Sequence, residues 1–455
     1  MNLFQIAWRS LRQRWLSSSL TALSVALGVA LIVAVLLAYG VVSRMFSEVG
    51  TGYDLLIGPK GADTQLVLSA IYRIQPPIEN LPWRFYEDLK KDKRLDRVVP
   101  ISIGDTTEEG GFPIVGTLPE YFMIPYARRG DGTVSKFRST GWMKSQWDAV
   151  VGSEVARANG WDVGSTFRMI HGGADAEDGH VHNELFTVRG VLEPTGTPND
   201  RSAFVNLQGF NAISGHDTPI AQAIEREAEF YGETVEEIRE RNAEIIAEVE
   251  AEEAATGYYH GPTPDLSKEV TAVIATMKDR GKSASFRASE AMRFIGEMKS
   301  GFKAQAVNPV VVMRRLVNTF VGNLRDVMLA LTVFIVLVAG NGIFVSVYNS
   351  MADRKREIGV MRALGARRQT MFGVILAETF LLCVGGGLLG FVLGHGLVVA
   401  AAPLLRDRTG LIIDPWHFEP AELLVFPLLL VLSLLVGVLP AMTAYRTDVA
   451  SALSD

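Results

Sequence analysis

Apolar and polar positions alternate along this chain on three length scales, and each scale predicts a different kind of element. The longest runs are Leu20–Val42, Val327–Ala352, Met371–Leu405 and Leu423–Ala444, which are apolar almost throughout. A helix needs about 20 such residues to cross the hydrocarbon core of a bilayer. Transmembrane helices are therefore predicted over 18–42, 327–352, 371–405 and 423–444. Between residues 51 and 215 the runs are short: YDLLIGP, GFPIVGTL, DAVVGSEVA, LFTVRGVLE and SAFVNL are β-rich and closed by Gly, Pro or Asp, and they predict strands. WRFYEDLKKDKRL and SEVARANGW predict short helices among them. Over 219–256, Ile220, Ile224, Tyr231, Val235, Ile238, Ile245 and Val249 recur at helical spacing among many glutamates. That pattern predicts one long amphipathic helix with an acidic face.

The flanks complete the plan. Residues 3–16 intersperse Phe4, Ile6, Ala7, Leu11, Trp15 and Leu16 with arginines, which predicts an interfacial amphipathic helix over 1–17, with Trp8 and Trp15 at headgroup depth. EVTAVIATM reads as a strand, and 284–326 reads as mostly helical, with a stalk at about 300–326 entering the second span. The fold class is membrane α-helical, with four transmembrane helices and a large extracytoplasmic α/β (α+β) domain at 43–326, between spans one and two. About 219–300 is a helical insertion in that domain.

Charge orients these elements. Residues 1–17 hold Arg9, Arg12 and Arg14 with no acid, and 353–370 hold six basic residues against Asp353 and Glu357. The positive-inside rule places both in the cytoplasm. Residues 43–326 hold 32 basic and 41 acidic residues and belong outside, with the 406–422 loop, while the 445–455 tail returns inside. The first apolar run, at 23 residues, exceeds the 7–15 of a signal peptide and reads as an uncleaved anchor. The single cysteine, Cys383, falls in the third span, so the outer domain has no intrachain disulfide to draw on.

Candidate chemistry is sparse. RGKS at 280–283 imitates the end of a P-loop, but Thr276 stands where the first glycine is required. No nucleotide-binding motif is found, and no nucleic-acid partner is indicated. HGGADAEDGHVHNE, 171–184, gathers three histidines with several acids. His171, His180 and His182 are the residues a metal would use, with His180 and His182 on one strand face. The glycines and the lack of apolar residues favour a solvated hairpin tip, so no metal is assigned. Glu378 in the third span invites a role in helix packing or gating. Gly386, Gly390 and Gly394 supply the small-x-x-x-small spacing that lets membrane helices approach, within the bundle or across a dimer. No catalytic triad, Cys/His pair or carboxylate pair stands out.

One segment asks for more than topology. In MADRKREIGVMRALGARRQTMF, 351–372, a helix over REIGVMRALG would present Ile358, Met361, Ala363 and Leu364 on one apolar face beside Arg356, Glu357 and Arg362. Gly365 stands at its C-cap. A basic loop that only sets orientation needs no such face.

These residues carry a resemblance. Asp353–Arg354–Lys355–Arg356–Glu357–Ile358–Gly359, Arg362–Ala363–Leu364–Gly365–Ala366, then Glu378 and the glycine run, resemble the MacB/FtsX-like ABC transporter permeases, the four-span, type VII mechanotransmission type. The closing PAMTAYRTDVASAL is similar too, with Val449 where the family has proline, as are VGTGYDLLIGPKG, FPIVGTLPEYF, VVGSEVARANGWDVGSTF and FTVRGVLEPTGTPNDRSAFVNL. The resemblance implies a multi-pass protein of the bacterial inner membrane with both termini cytoplasmic, forming a homodimer or a pseudo-symmetric heterodimer. It implies a separate cytoplasmic ABC ATPase that binds ATP and Mg, while this chain binds no cofactor and is not itself an enzyme. Arg354, Lys355, Arg356, Glu357, Ile358, Gly359, Met361, Arg362, Leu364 and Gly365 would dock that ATPase. A periplasmic adaptor, lipoprotein or hydrolase and membrane lipids are the further partners it suggests. The implied function is export or extraction of a lipid, lipoprotein, peptide or hydrophobic compound. The alternative is an FtsX-like regulator that activates a cell-wall hydrolase.

Overall fold

A computed structural model describes residues 3–48, 52–124, 135–139, 141–171, 180–213, 215–216, 218–279, 281, 283–301, 303–353, 355–409 and 418–446. The chain divides into two compact units, Met1–Ser43 with Val317–Asp455, and Arg44–Leu316.

The first unit is a helical bundle. Among the described residues four helical segments are long and apolar enough to cross a membrane: Trp15–Val41, Pro309–Asn349, Arg368–Leu404 and Pro420–Thr443. Val25, Val29 and Val33 of the first, Ile343 of the second, Ile375 and Cys383 of the third, and Leu429 of the fourth form its core. Large apolar side chains such as Leu331, Phe334, Leu397 and Leu435 stay exposed, as expected of surfaces that face lipid or a partner. Trp8 on the helix Leu3–Gln13 and Trp15 at the start of the next helix are exposed, while Phe4 meets Phe380 of the third span edge-on.

The second unit is built on a mixed sheet. Its strand order is Ala304–Val307, Leu55–Pro59, Ala272–Met277, Leu95–Thr107, Pro113–Thr117, Ala203–Asn206, Asp148–Val151, Phe186–Leu192 and Phe137–Ser139. Pro113–Thr117 runs parallel to Ala203–Asn206, and Asp148–Val151 parallel to Phe186–Leu192; the other neighbours on this path are antiparallel. Near-continuous burial of LLIGP, DAVV and AFVN identifies strands covered on both faces. Phe122, Phe204 and Phe137 interlock edge-on in one core, and Phe167, Phe186 and Trp161 stack in another.

Two predictions are corrected here. Residues 219–256 form three helices, Ile220–Tyr231, Val235–Arg241 and Ala243–Thr256, rather than one. Gly232 adopts a left-handed φ of 69° that ends the first, and Thr234 with Glu237 makes a capping box that starts the second. The glutamate-rich period continues across these caps, which is why periodicity alone missed them. The stretch 284–326 is mostly helical, but the stalk at about 300–326 is not one helix, because Ala304–Val307 is a strand paired with Leu55–Pro59. Pro309 forces the residue before it toward extended backbone, and Asn308 accepts a hydrogen bond from the Val311 amide to start the next helix.

The acidic lobe is anchored by charge. Arg84 donates to Glu227 at 3.1 Å and to Glu233 at 2.9 Å, stacks on the Tyr231 ring at 3.9 Å, and shares both carboxylates with Arg241. Tyr231 donates to Asp88 at 2.8 Å, which joins the lobe to the helix Trp83–Lys91.

Candidate functional site

Three places carry the residues singled out by sequence, and the turn between the second and third spans is the first. The helix Lys355–Ala363 ends in a Schellman motif: the Gly365 amide donates to Arg362 O and the Ala366 amide to Met361 O, both at 3.0 Å. Gly365 takes φ of 100°, a conformation that glycine adopts without cost. Met361 and Ala366, the hydrophobic pair such a motif brings together, pack on the bundle core. Met361 therefore does not share an outward face with Leu364, contrary to the helical-wheel expectation. Leu364 is 83% exposed and Val360, one turn before it, 44%. Gly359 is buried, and Arg362 is half-buried. Arg354 lies outside the described residues, and Lys355, Arg356, Glu357 and Ile358 lie on the helix.

The second place is the interior of the bundle. A methyl group on Gly386 would sit 2.7 Å from Ala22 O, and one on Gly394 would sit 2.8 Å from Val33 Cβ. At Gly390 it would collide with Ala26 O and Val29. These three glycines thus seat the third span directly on the backbone of the first, within one chain. Glu378 is buried beside a cavity of about 540 Å³, whose lining includes Ser10, Arg14, Thr21 and Asn349. Farther along the third span, His395 Nε2 lies 2.9 Å from Glu422 Oε2, whose side chain is fully buried.

The third place is in the sheet. The long strand Leu95–Thr107 continues past its partners, and its end pairs with Met169–His171, placing Asp105 directly across from His171. His171 in turn faces His180. One extra residue on the long strand between Ile103 and Thr106 makes a bulge there, a device that re-aims side chains. His171 Nδ1 is 2.9 Å from Asp105 Oδ1, His216 Nε2 is 2.9 Å from Oδ2, and His182 Nε2 is 3.6 Å from Oδ2. Asp105 and the side chains of His182 and His216 are buried, and His171 is exposed. Burial pushes the His182 pKa below its ordinary value. His180 is exposed and stands outside this four-residue group. The acids Asp175, Glu177 and Asp178 lie outside the described residues.

Comparison with known families sets these places in order. Residues 18–256, more than half of the chain, match the MacB-like periplasmic core domain, and 329–449 match the FtsX-like permease C-terminal domain. The chain belongs to the MacB/FtsX-like ABC transporter permease family. It is 29% identical over 159 residues to the macrolide export ATP-binding/permease protein MacB of Agrobacterium fabrum, covering 35% of this chain and 24% of that one. It is 34% identical over 118 residues to the pyoverdine export ATP-binding/permease protein PvdT of Pseudomonas savastanoi pv. phaseolicola, covering 26% of this chain and 17% of the relative. The matched stretch thus spans about a quarter or less of these relatives' length. Among solved structures, the periplasmic region of MacB from Actinobacillus actinomycetemcomitans aligns with a TM-score of 0.33 and 11% identity, over 60% of this chain and 95% of that one.

The MacB/FtsX-like assignment makes this a membrane protein and an ABC transporter permease. The periplasmic-core match runs to residue 256 and so takes in the three lobe helices. The same match contains all four residues of the histidine group. Sequence reading found His171 and His182 but missed Asp105 and His216. Asp105 is 66 residues from His171, and no local spacing reports a contact made by sheet register. A buried acid in a strand that otherwise reads IGDTT was the one available hint.

Proposed function

We propose that this chain is the permease subunit of an ABC transporter of the bacterial inner membrane, with both termini cytoplasmic and a separate ATPase subunit bound at Lys355–Gly365. The ATPase binds ATP and Mg; this chain binds neither. ATP-driven closure of the ATPase pair pushes on this turn, and the motion passes to the outer domains of a permease homodimer. The transported material is a lipid, lipoprotein, peptide or hydrophobic compound, with an adaptor or lipoprotein as a further partner. The observation that carries the reading is the exposed Val360–Leu364 pair at a basic turn held between two spans. Two apolar side chains one helical turn apart, on a turn that also carries Arg362, Arg367 and Arg368, suit a groove in a folded partner. The Schellman cap and the Met361–Ala366 contact make the turn rigid, so a push there is transmitted instead of absorbed. The FtsX-like match over 329–449 favours a second reading, in which the same motion activates a cell-wall hydrolase.

The test is co-expression with an ABC ATPase of this family, purification in nanodiscs, and comparison of ATP hydrolysis by wild type and by Glu357→Lys/Leu364→Asp. The expected result is a stable wild-type complex and a variant that loses both binding and coupled hydrolysis. A variant that binds and stimulates the ATPase unchanged would reduce the turn to a topology signal. A hydrolase retained on the outer domain would select the second reading.

A further inference from the structure

The histidine group in the outer domain plays no part in the mechanism above, and hydrogen bonds account for only part of it: His171 Nδ1 pairs with Asp105 Oδ1, but other buried atoms are left over. Asp105 Oδ2, His182 Nε2 and His216 Nε2 are buried, and none of the three makes a hydrogen bond. Buried polar atoms in native proteins are almost always partnered, so three orphans together need a cause. His216 Nε2 comes to 2.9 Å from Asp105 Oδ2 without hydrogen-bond geometry, and His182 Nε2, at 3.6 Å, stands just beyond hydrogen-bond distance. They crowd one spot without pairing.

The tautomer of His216 strengthens this. Its Nδ1 lies 3.0 Å from the carbonyl oxygen of Phe210, and only an N–H can face a carbonyl at that distance. In the neutral ring Nε2 then carries a lone pair, 2.9 Å from a carboxylate oxygen. Lone pair against lone pair is repulsive unless a proton or a metal ion lies between them. An imidazole whose second nitrogen donates to a backbone carbonyl is also how proteins orient metal-ligating histidines. The Phe210 ring, with its centroid 4.5 Å from that of His216, fixes the imidazole further.

We propose that Asp105, His171, His182 and His216 form a binding site for a divalent transition metal, with zinc as the ion the donor set fits best. Three imidazoles and one carboxylate favour zinc and its neighbours over calcium or magnesium, which take oxygen ligands. The four donor atoms lie within 4.8 Å of one another. Tetrahedral zinc, with bonds of about 2.0–2.1 Å, needs its donors about 3.3 Å apart, so the site closes slightly on the ion. The His171 ring supplies the movement, because it is the exposed member of the group while the side chains of the other three are buried. The ion would tie together three parts of the chain distant in sequence: the end of the long strand, the paired strands Met169–His171 and His180–Val181 with His182 beside them, and the segment entering the acidic lobe. The only cysteine lies in a membrane span, so a metal is the cross-link this domain has available. A donor set supplied entirely by protein makes the role structural instead of catalytic.

The experiment uses the full chain in nanodiscs, free of any histidine tag, stripped with EDTA and titrated with Zn²⁺ alone by calorimetry. Metal retained after desalting is then counted by mass spectrometry. The expected result is one zinc retained per chain and a higher melting temperature with zinc than with EDTA. His182→Gln and His216→Gln should each weaken zinc at least about 100-fold, and His180→Gln should leave it unchanged. His171→Gln guards against misfolding of the buried variants, because its side chain is exposed and its loss cannot disturb the core; it too should weaken zinc measurably. Wild type that retains no zinc, or a His171→Gln and His216→Gln pair that retain it as wild type does, would overturn the site.

Discussion

The bundle and the outer domain hold themselves together by opposite means. Where the third span meets the first, the contact is made by missing side chains: Gly386, Gly390 and Gly394 let one backbone rest on another. Where the sheet of the outer domain is covered, the contact is made by the largest side chains available, Phe122, Phe186 and Phe204 among them. Lipid tails are as apolar as leucine, so burying apolar area between membrane helices gains little, and close van der Waals approach decides the packing. In water each buried apolar Å² is worth about 25 cal/mol, and big rings win. One methyl group therefore has opposite meanings in the two regions. Added to the bundle seam it does damage, and removed from the sheet core it does damage.

The largest effect should come from the sheet. Phe204 is fully buried between Tyr121 and Phe122, with Arg73 against its face. Phe204→Ala leaves a cavity in a close-packed core and should cost about 3–5 kcal/mol. Urea unfolding of the full chain in nanodiscs, followed by tryptophan fluorescence, measures it. A loss below about 1 kcal/mol would mean that the aromatic core is not what holds this domain.

The bundle should respond to the reverse change. Gly390→Val drives a branched side chain into Ala26 O and Val29, where the obstacle is backbone and cannot swing away. The expected cost is about 1–3 kcal/mol, read as a lower melting temperature in detergent. Gly385→Ala is the matched control, because a methyl there meets nothing within 4 Å. Equal melting of the two variants would remove the distinction between seam and surface.

How much of this was legible in the sequence depended on whether the signal was local. A span announces itself in about 20 consecutive residues, and the glycine seam in three positions four apart, so both could be read directly. The strands centred on LLIGP, DAVV and AFVN were equally plain, because their burial on both faces leaves an unbroken apolar run. The strand Leu95–Thr107 was hidden, since its far end carries Ser102, Asp105 and two threonines for reasons that only the neighbouring strands supply. Asp105 and His216 were invisible for the same reason. The orientation of Met361 was misjudged because a helical wheel shows which residues share a face but not which face the bundle covers.

A third difference is electrostatic and belongs to the outer domain. Hydrogen bonds from Arg84 and then Arg241 hold the Glu233 carboxyl down at about 2, well below its ordinary value. A carboxylate whose folded pKa is depressed contributes stability that is complete above its unfolded pKa of about 4.3 and is lost as pH falls through the folded value. The lobe helix Ile220–Tyr231 should therefore loosen from Trp83–Lys91 as pH drops from about 4.3 toward 2. Hydrogen exchange across that helix reports it, and Glu233→Gln should flatten the profile over that window. A pH response identical in wild type and variant would show that the Arg84 cluster does not anchor the lobe.

The smallest effect on stability should come from the residue on which most of the function rests. Leu364 is exposed and outside the bundle core, so Leu364→Asp removes almost no packing and should change the melting temperature of the isolated permease by the equivalent of less than about 0.5 kcal/mol. Met361, half-buried on the same turn and packed against the bundle, has no such freedom, and Met361→Asp should lower the melting temperature clearly. The pair separates two demands that the helical pattern merged: one apolar residue serves the chain itself, and the other serves whatever binds it. If Leu364→Asp melts as Met361→Asp does, the leucine belongs to the fold and the turn has no apolar surface to offer. If it melts as wild type but no longer holds the ATPase, an apolar side chain is kept in water there because a partner covers it.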